Sequence, residues 1–433
     1  MMLSITFTLS ANAANNGKEI AIKETTNDNE VCLTLKTAES MLAERNLSLI
    51  AERCNVDMAR AEIIQARLFD NPEISIEQNI YNRLNGKYFD VGKEGEAVIE
   101  IEQAIKLGGQ RGKLIKMQKQ NYRTAELQLE DALRILRNEV DENLISVYFL
   151  NKAVCVYDKE IESLKTMLNG IRQQEAKGNA SRLETTRLET MVLSLMKEKK
   201  EQEDLLREAQ GKLCTLLHIP AGTPIKAVID ETFIDNADIT ALSYYSLKSK
   251  LTNRPDIEKG ESVIKASEAN LRLQKSMALP DFSIKGSYDR AGNFCNNYFA
   301  IGVSLYVPIF DRNQGGIKAA RSGIEQAKAD KESAENQADI ELYNACEALS
   351  KAVTLYKRMD KNVTTELETL LDGVNRNFGS RNISLLEFMD FYSSYREACL
   401  QIYDITKDML LSMANLNAVM GYNVVDICGN KEI

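Results

Sequence analysis

Two stretches of the chain change abruptly from a two-residue to a helical spacing of apolar positions. Residues 298–307 alternate between apolar and smaller or polar side chains, with apolar residues at Phe299, Ile301, Val303, Leu305 and Val307. This period gives a strand one continuous apolar face. Pro308 ends the pattern because proline has no N–H to donate. A turn at residues 311–316 then leads into helical spacing, so we predict a strand that opens directly into a very long helix.

The same change of period occurs about 203 residues earlier, in residues 96–113. Around it the pattern predicts a helix over 31–70, a strand hairpin over 72–107, a long helix over 110–177 and a helix over 182–217. The second half predicts a helix over 256–278, a hairpin over 280–310, a long helix over 314–378 and a last helix over 384–420. Short local matches relate the halves: 71–76 with 279–284, and 179–184 with 382–387.

These matches predict an internal duplication within an α+β chain. The first repeat covers 31–219, a linker or equatorial region covers 220–240, the second repeat covers 241–421, and a tail covers 422–433. Residues 1–13 form a short apolar run that ends in Ala11-Asn12-Ala13, which is typical of a secretory signal peptide. The basic segment that usually begins such a signal is missing, which leaves two explanations open: a truncated signal or a start residue assigned too late.

The predicted dimensions suggest a membrane. A continuous helix over 110–177 spans roughly 100 Å at 1.5 Å per residue, and it needs other long helices to pack against. Strands of about ten residues cross a bilayer when tilted. Aromatic girdles are available at Tyr81, Tyr88, Tyr288, Tyr298 and Tyr306. A soluble sheet covered by helices remains the alternative.

Four strands cannot stand alone in lipid because two open edges leave backbone groups without partners. If the hairpins enter a membrane, the barrel must close between chains. We therefore expect a ring-shaped oligomer.

Composition narrows the function classes. Charged residues make up 27 % of the chain and the net charge is −9, which argues against a nucleic-acid partner. The sequence contains no run of eighteen apolar residues, so no membrane-spanning helix is predicted. His218 is the only histidine, and none of the eight cysteines forms a C-x-x-C pair, so we expect free, buried or half-buried thiols. No cofactor, metal site or catalytic residue is predicted, and the chain is expected not to be an enzyme.

Acidic residues follow both predicted helix tips. Glu184 comes after the tip at 178–181, and Glu387 and Asp390 come after the tip at 379–383. If the tips converge in a ring, these carboxylates form negative collars that favour cations. The alternative is an acidic first turn stabilised by the helix dipole.

The residues now assembled resemble the outer-membrane efflux protein family, the TolC-like exit ducts of tripartite pumps. Residues 307–315, VPIFDRNQG, are similar to the P-[LI]-F-[DN]-R-N-x-G turn of the heavy-metal (Czc/Cus-type) branch. Residues 101–111, IEQAIKLGGQR, resemble the first-half counterpart, in which Gln110 replaces the usual lysine.

The resemblance implies a homotrimer in which each chain contributes four strands to a twelve-stranded outer-membrane β-barrel, continued by a periplasmic α-helical barrel. It implies a periplasmic adaptor (membrane fusion protein), an inner-membrane transporter of the resistance–nodulation–division (RND) type, and outer-membrane lipid as partners. Three groups of positions match the family's functional residues: aperture or gate candidates Glu184, Glu387, Asp390 and Arg381; adaptor-contact tips Gly178, Asn179, Ala180, Ser181, Asn382, Ile383 and Ser384; and strand-to-helix turns Gly108, Gly109, Arg111, Asp311, Arg312, Asn313, Gln314 and Gly315.

Three functions remain open from the sequence. The first is the outer-membrane exit duct of a tripartite RND-type pump that exports divalent heavy-metal cations. The second is a duct of the same fold for drugs, other organic compounds or secreted proteins. The third, from a different class, is a soluble coiled-coil scaffold.

Overall fold

The structure of the chain is a computed structural model that describes residues 30–83, 85–92, 95–231, 243–291, 296–360 and 363–427. Its helices are α1 (Leu35–Arg45), α2 (Leu47–Ala66), α3 (Gln110–Ala176), α4 (Arg182–Leu216), α5 (Tyr244–Lys248), α6 (Pro255–Met277), α7 (Gln314–Arg358), α8 (Val363–Gly379) and α9 (Leu385–Met420). Its strands are β1 (Val31–Leu33), β2 (Glu73–Gln78), β3 (Tyr81–Asn82), β4 (Lys87–Tyr88), β5 (Ala97–Ile105), β6 (Ile225–Ala227), β7 (Asp281–Ala291) and β8 (Asn296–Tyr306).

Four strands form one antiparallel sheet in the order β2-β5-β7-β8. The hairpin of each half is present, and β5 pairs with β7 to join the two hairpins. In one row that crosses all four strands, neighbouring positions are, in order, Ile74, Ile101, Gly286 and Ile301. Within this chain, β2 and β8 are therefore the open edges of the sheet.

The helices next to the sheet repeat its lateral order. α2 packs on α3, α3 on α6, and α6 on α7. α2 leads into β2, β5 leads into α3, α6 leads into β7, and β8 leads into α7. Each strand is thus continued by a helix in the same position, and the open edges of the helical layer, α2 and α7, lie below the open edges of the sheet.

α3 is the longest element of the described chain, with 67 residues in one unbroken helix. Away from the sheet it packs on α4 and α9, which replace α2 and α6 as its neighbours. The main apolar core surrounds its middle, where Leu144, Ile145 and Val147 are fully buried against the equatorial elements. A second core nearer the tips contains Leu164, Leu188 and Phe388, so the two helix hairpins are packed on each other there.

The expectation of one continuous helix over 314–378 is wrong. α7 ends at Arg358, Met359 has extended backbone angles (φ −71°, ψ 131°), and α8 begins at Val363. No proline marks this break. The intervening sequence, Asp360-Lys361-Asn362, is rich in the polar residues that cap helices, which is the signal that the spacing of apolar residues did not reveal.

The region expected to be helical over 31–70 also differs. Val31–Leu33 forms a parallel strand pair with Ile225–Ala227 from the predicted linker. The helix is divided at Asn46, whose side chain accepts from the Leu49 N–H and donates to the Leu216 carbonyl. The loop expected at 82–95 contains the short β3–β4 hairpin, in which Tyr81 and Tyr88 are in contact.

Some expectations concern residues outside the described ranges: the signal peptide at 1–13, most of the linker after 231, and Cys295 and Cys428. The described cysteines are free thiols, but Cys32, Cys54 and Cys155 are exposed rather than buried. Among the described helices, none is long and apolar enough to span a membrane.

One buried acid of the equatorial region makes a testable contribution to stability. Asp141 of α3 is 4 % exposed, and its Oδ1 has no hydrogen-bond partner in the described part of the chain. Burial, reinforced by the nearby Glu39 and Glu142 carboxylates and opposed by Arg137, raises its pKa to about 8.

The Asp141→Asn variant should be more stable than the parent, by an amount that grows with pH. A folded-state pKa above the ordinary value of 3.8 means that the native protein binds this proton more tightly than the unfolded chain does. The parent therefore loses stability as pH rises from about 4 to 8, by up to about 1.4 kcal/mol per pH unit. Thermal unfolding at pH 5.5 and 8.0 measures this. Glu139→Gln, at an exposed position of the same helix, is the control; an equal gain at both pH values would contradict the expectation.

Candidate functional site

The two faces of the four-stranded sheet differ sharply in chemistry. On one face the paired positions are apolar: Ile76, Ile99, Tyr288 and Phe299 in one row, and Ile74, Ile101 and Ile301 in another. These side chains are exposed within the chain; Ile76 is 73 % exposed, Phe299 75 % and Ile301 86 %. An apolar surface of this kind is suited to contact with lipid.

The opposite face is acidic. The register places Glu73 opposite Glu102, and Glu100 one row further along, with Glu77 on the same side of β2. Lys285 of β7 lies opposite Glu102 and forms an ion pair with Glu100. We call Glu73, Glu77, Glu100 and Glu102 the acidic sheet face. Four carboxylates against one ammonium leave it with negative charge.

The first strand-to-helix turn is fixed by a carboxylate. Gly108 and Gly109 both have positive φ, near 70°, and Gly109 is the residue before α3. Asp281 accepts from the Leu107 N–H and from the Gln110 side chain, each at 3.0 Å. The glycines therefore serve a tight turn, and Arg111 lies beside it with its guanidinium carbon 3.9 Å from the centre of the Phe69 ring.

The second strand-to-helix turn also has a residue of positive φ before its helix, but different side chains hold it. Asn313, the residue before α7, has φ 53°, and its side chain donates to the carbonyl and side-chain oxygens of Gln274 on α6. Asp311 accepts from the Asn313 N–H, and Gln314 accepts from the Arg312 N–H. Gly315 is the second residue of α7. Asn313 thus ties the turn to α6, whereas Asp311, Arg312 and Gln314 make hydrogen bonds within the turn itself.

The two tips share one backbone geometry. Asn179 N–H donates to the Gln174 carbonyl, and Asn382 N–H donates to the Asn377 carbonyl, both at 2.8 Å. The residue before each asparagine is left-handed: Gly178 with φ 77° and Arg381 with φ 61°. A glycine takes this conformation freely, whereas an arginine is strained in it.

Reciprocal hydrogen bonds cap the helices that follow the tips. Ser181 and Glu184 bond each other at the start of α4, and Ser384 and Glu387 do so at the start of α9. Hydrogen bonds from the Ser384 N–H and hydroxyl lower the pKa of Glu387. Two of the three predicted collar residues, Glu184 and Glu387, are therefore helix caps in this structure, and the cap leaves Glu387 exposed. Asp390 is exposed one turn further along α9.

The chain brings its two tips together. The Arg381 guanidinium donates to the Asn179 carbonyl, which links the tip of the second repeat to that of the first. The adaptor-contact positions Gly178 to Ser181 and Asn382 to Ser384 therefore lie at one end of the molecule, far along α3 from the sheet.

Sequence reasoning missed the polar contacts behind the tips. Glu160 of α3 is 1 % exposed and pairs with Arg396 of α9 at 3.0 Å, while Arg396 also lies 3.7 Å from Glu198 of α4. Burial raises the pKa of Glu160 to about 7 against the opposing effect of Arg396. The Tyr392 hydroxyl bonds both Ser163 and Asn375 at 2.7 Å. The sequence signal for this pair is Glu160 itself, a charged residue within a helical stripe of apolar residues.

Within the described residues no group of three or more His, Cys, Asp or Glu side chains is placed to hold a metal ion.

Comparison with known proteins gives consistent matches. A family model described as outer membrane efflux protein matches residues 39–217. The cobalt-zinc-cadmium resistance protein CzcC of Cupriavidus metallidurans is 22 % identical over 393 residues, 90 % of each chain. The pyoverdine export outer membrane protein OpmQ of Pseudomonas aeruginosa is 24 % identical over 192 residues, 43 % of this chain and 39 % of that protein. The crystal structure of CusC superposes with a TM-score of 0.71 at 17 % identity, covering 90 % of this chain and 92 % of that one.

The cap can be separated from the charge of Glu387 by two substitutions. Glu387→Ala should speed amide exchange in the first turn of α9 roughly fivefold, because losing a helix cap costs about 1 kcal/mol. Glu387→Gln should leave exchange nearly unchanged, since its side-chain oxygen still accepts from the Ser384 N–H. Hydrogen exchange with mass spectrometry measures both, with Asp390→Asn as a control outside the cap. Equal exchange in the Ala and Gln variants would contradict the capping role.

Proposed function

The chain belongs to the outer membrane efflux protein family and has the fold of the TolC-like outer membrane channels, and from this premise we propose that it is the exit duct of a tripartite efflux pump for divalent heavy-metal cations. Membership in a transport family gives it a role in the outer membrane rather than in catalysis. A soluble scaffold does not fit this family, nor the exposed apolar face of the sheet.

The duct is proposed to be a trimer. β2 and β8 carry unpaired backbone groups, and in hydrocarbon each such group costs several kcal/mol. The helices α2 and α7 end at the same two edges. A neighbouring copy that pairs its β8 with β2 also places its α7 against α2, so one rotation closes both layers. Three chains give twelve strands, and the helices continue the barrel into the periplasm.

The cargo assignment rests on the full-length similarity to a cobalt-zinc-cadmium resistance protein. The match to the pyoverdine exporter covers less than half of either chain. The acidic sheet face supports the assignment, because closing the barrel with the apolar face outward turns Glu73, Glu77, Glu100 and Glu102 to the lumen. A lumen of negative charge raises the local concentration of cations.

The tips are proposed to meet the other members of the pump. Both tip segments lie at the end of the helices farthest from the sheet, joined by the contact from Arg381 to Asn179. A periplasmic adaptor would bind there and connect the duct to an inner-membrane RND transporter. Glu184, Glu387 and Asp390 would then surround the entrance that the adaptor holds open.

Deleting the gene should lower tolerance of cobalt, zinc and cadmium at least severalfold in growth assays. Copper and a panel of organic dyes serve as comparison, and restoring the gene on a plasmid serves as the control. If metal tolerance is unchanged while dye tolerance is lost, the cargo is organic and the metal assignment is wrong.

Neutralising the entrance should reduce its preference for cations. Glu387→Gln combined with Asp390→Asn removes two charges per chain while keeping the cap of α9. In planar bilayers under a salt gradient, the reversal potential of the double variant should move toward zero relative to the parent. Arg376→Gln, in the last turn of α8, is a single-charge control near the tip. An unaltered reversal potential would mean that these carboxylates do not line the entrance.

A further inference from the structure

A cavity of about 740 Å³ lies where the sheet meets the helical layer. Its walls are the end of α2, the last residues of β5, the first turns of α3 and the last turns of α6. α2, α3 and α6 are consecutive in the layer. The cavity thus lies between neighbouring helices of one chain, and α2, an open edge of the layer, forms one of its walls.

The apolar part of the cavity continues the membrane-facing side of the sheet. Ile105, the last residue of β5, lies in the apolar row beside Phe282 and Leu305 and lines the cavity. Leu68, Phe69 and Met277 also line it, and they are 57 %, 76 % and 44 % exposed. The cavity therefore opens at the periplasmic end of the band that contacts lipid, where the headgroups of that leaflet lie.

Arg111 supplies a cation to this cavity that has no carboxylate partner among the described residues. Its guanidinium stacks on the Phe69 ring, which occupies the face of the group and leaves the edge with its N–H donors free. The Nε atom is buried and has no hydrogen-bond partner, and Arg111 forms no ion pair with any other described residue. A planar edge of donors matches two oxygens of a phosphate.

The remaining charges define the headgroup. Lys106 and Asp70 pair with each other at 3.1 Å. Of the ionisable residues that line the cavity, Glu62 and Arg111 are left without such a pair in the described chain. One carboxylate and one guanidinium at the same mouth match a headgroup that carries a phosphate and an ammonium.

We propose that this cavity binds a phospholipid of the periplasmic leaflet, of the phosphatidylethanolamine class. The phosphate contacts the edge of Arg111, the ammonium lies toward Glu62, and the acyl chains run over Leu68, Phe69 and Met277 onto the apolar face of the sheet. The site requires only the membrane location of the chain, and it is independent of which cargo the duct carries.

Native mass spectrometry of the full-length protein in detergent, titrated with phosphatidylethanolamine, tests the proposal. Arg111→Gln should weaken binding about tenfold, and Phe69→Ala, which removes the stacking ring, should weaken it severalfold. Arg67→Gln is the matched control, since Arg67 is an exposed arginine at the same end of α2 that does not line the cavity. Glu62→Gln should abolish a preference for phosphatidylethanolamine over phosphatidylglycerol.

Three results would overturn the proposal. The first is equal lipid binding by Arg111→Gln and Arg67→Gln, with thermal unfolding showing that both variants are folded. The second is competition by inorganic phosphate as strong as that by the lipid, which would make the cavity a site for a soluble anion. The third is an efficient crosslink from Phe69→Cys to a second copy of the chain in membranes, which would make a neighbouring subunit the occupant.

Discussion

The open edges of the four-stranded sheet are the constraint on which the rest of the molecule depends. The outer backbone N–H and C=O groups of β2 and β8 have no strand partner among the described residues, and lipid offers none. The helical layer follows the same lateral order because every strand passes directly into a helix or out of one. The four strand–helix junctions therefore carry the geometry of the sheet into the helices. Polar contacts at the two turns accordingly position the helices: Asp281 bonds the start of α3, and Asn313 bonds Gln274 of α6.

Charge along the molecule is arranged by backbone geometry rather than by binding cages. The acidic sheet face follows from the two-residue period of β2 and β5, which puts alternate glutamates on the side away from the apolar rows. At the tips, Glu184 and Glu387 close the first turns of α4 and α9, which fixes where their charges lie. The hydrogen bonds that lower the pKa of Glu387 also keep it ionised. A carboxylate that caps a helix can thus present a stable field to passing ions.

The sequence predicted the elements whose periodicity is strong and missed those that depend on distant partners. The alternation of apolar residues in β8 predicted a strand of a hairpin, and the helical spacing of apolar residues in α3 predicted a long helix. Together they led to the family resemblance. The β1–β6 pair escaped because three residues carry no period, and their pairing joins positions nearly 200 residues apart. The end of α7 escaped because no proline marks it; Met359, which follows the helix, has extended backbone angles that the spacing of apolar residues does not predict. The pairing of Glu160 with Arg396 and the stacking of Arg111 on Phe69 also escaped. Each joins residues far apart in the sequence, which the periodicity of a single helix does not relate.

The two tips hold the same backbone conformation by different physical means. Gly178 and Arg381 occupy equivalent places and hold the same left-handed backbone. At Gly178 any side chain is disfavoured by the conformation alone, so replacement is opposed by local sterics. At Arg381 the strain, about 1–3 kcal/mol for a residue of this kind, persists because the side chain reaches the other tip. The first tip is thus fixed by its own backbone geometry, and the second also by its contact with the first. The two tips are therefore not interchangeable, because a glycine in place of Arg381 would relieve the strain but remove the link between them.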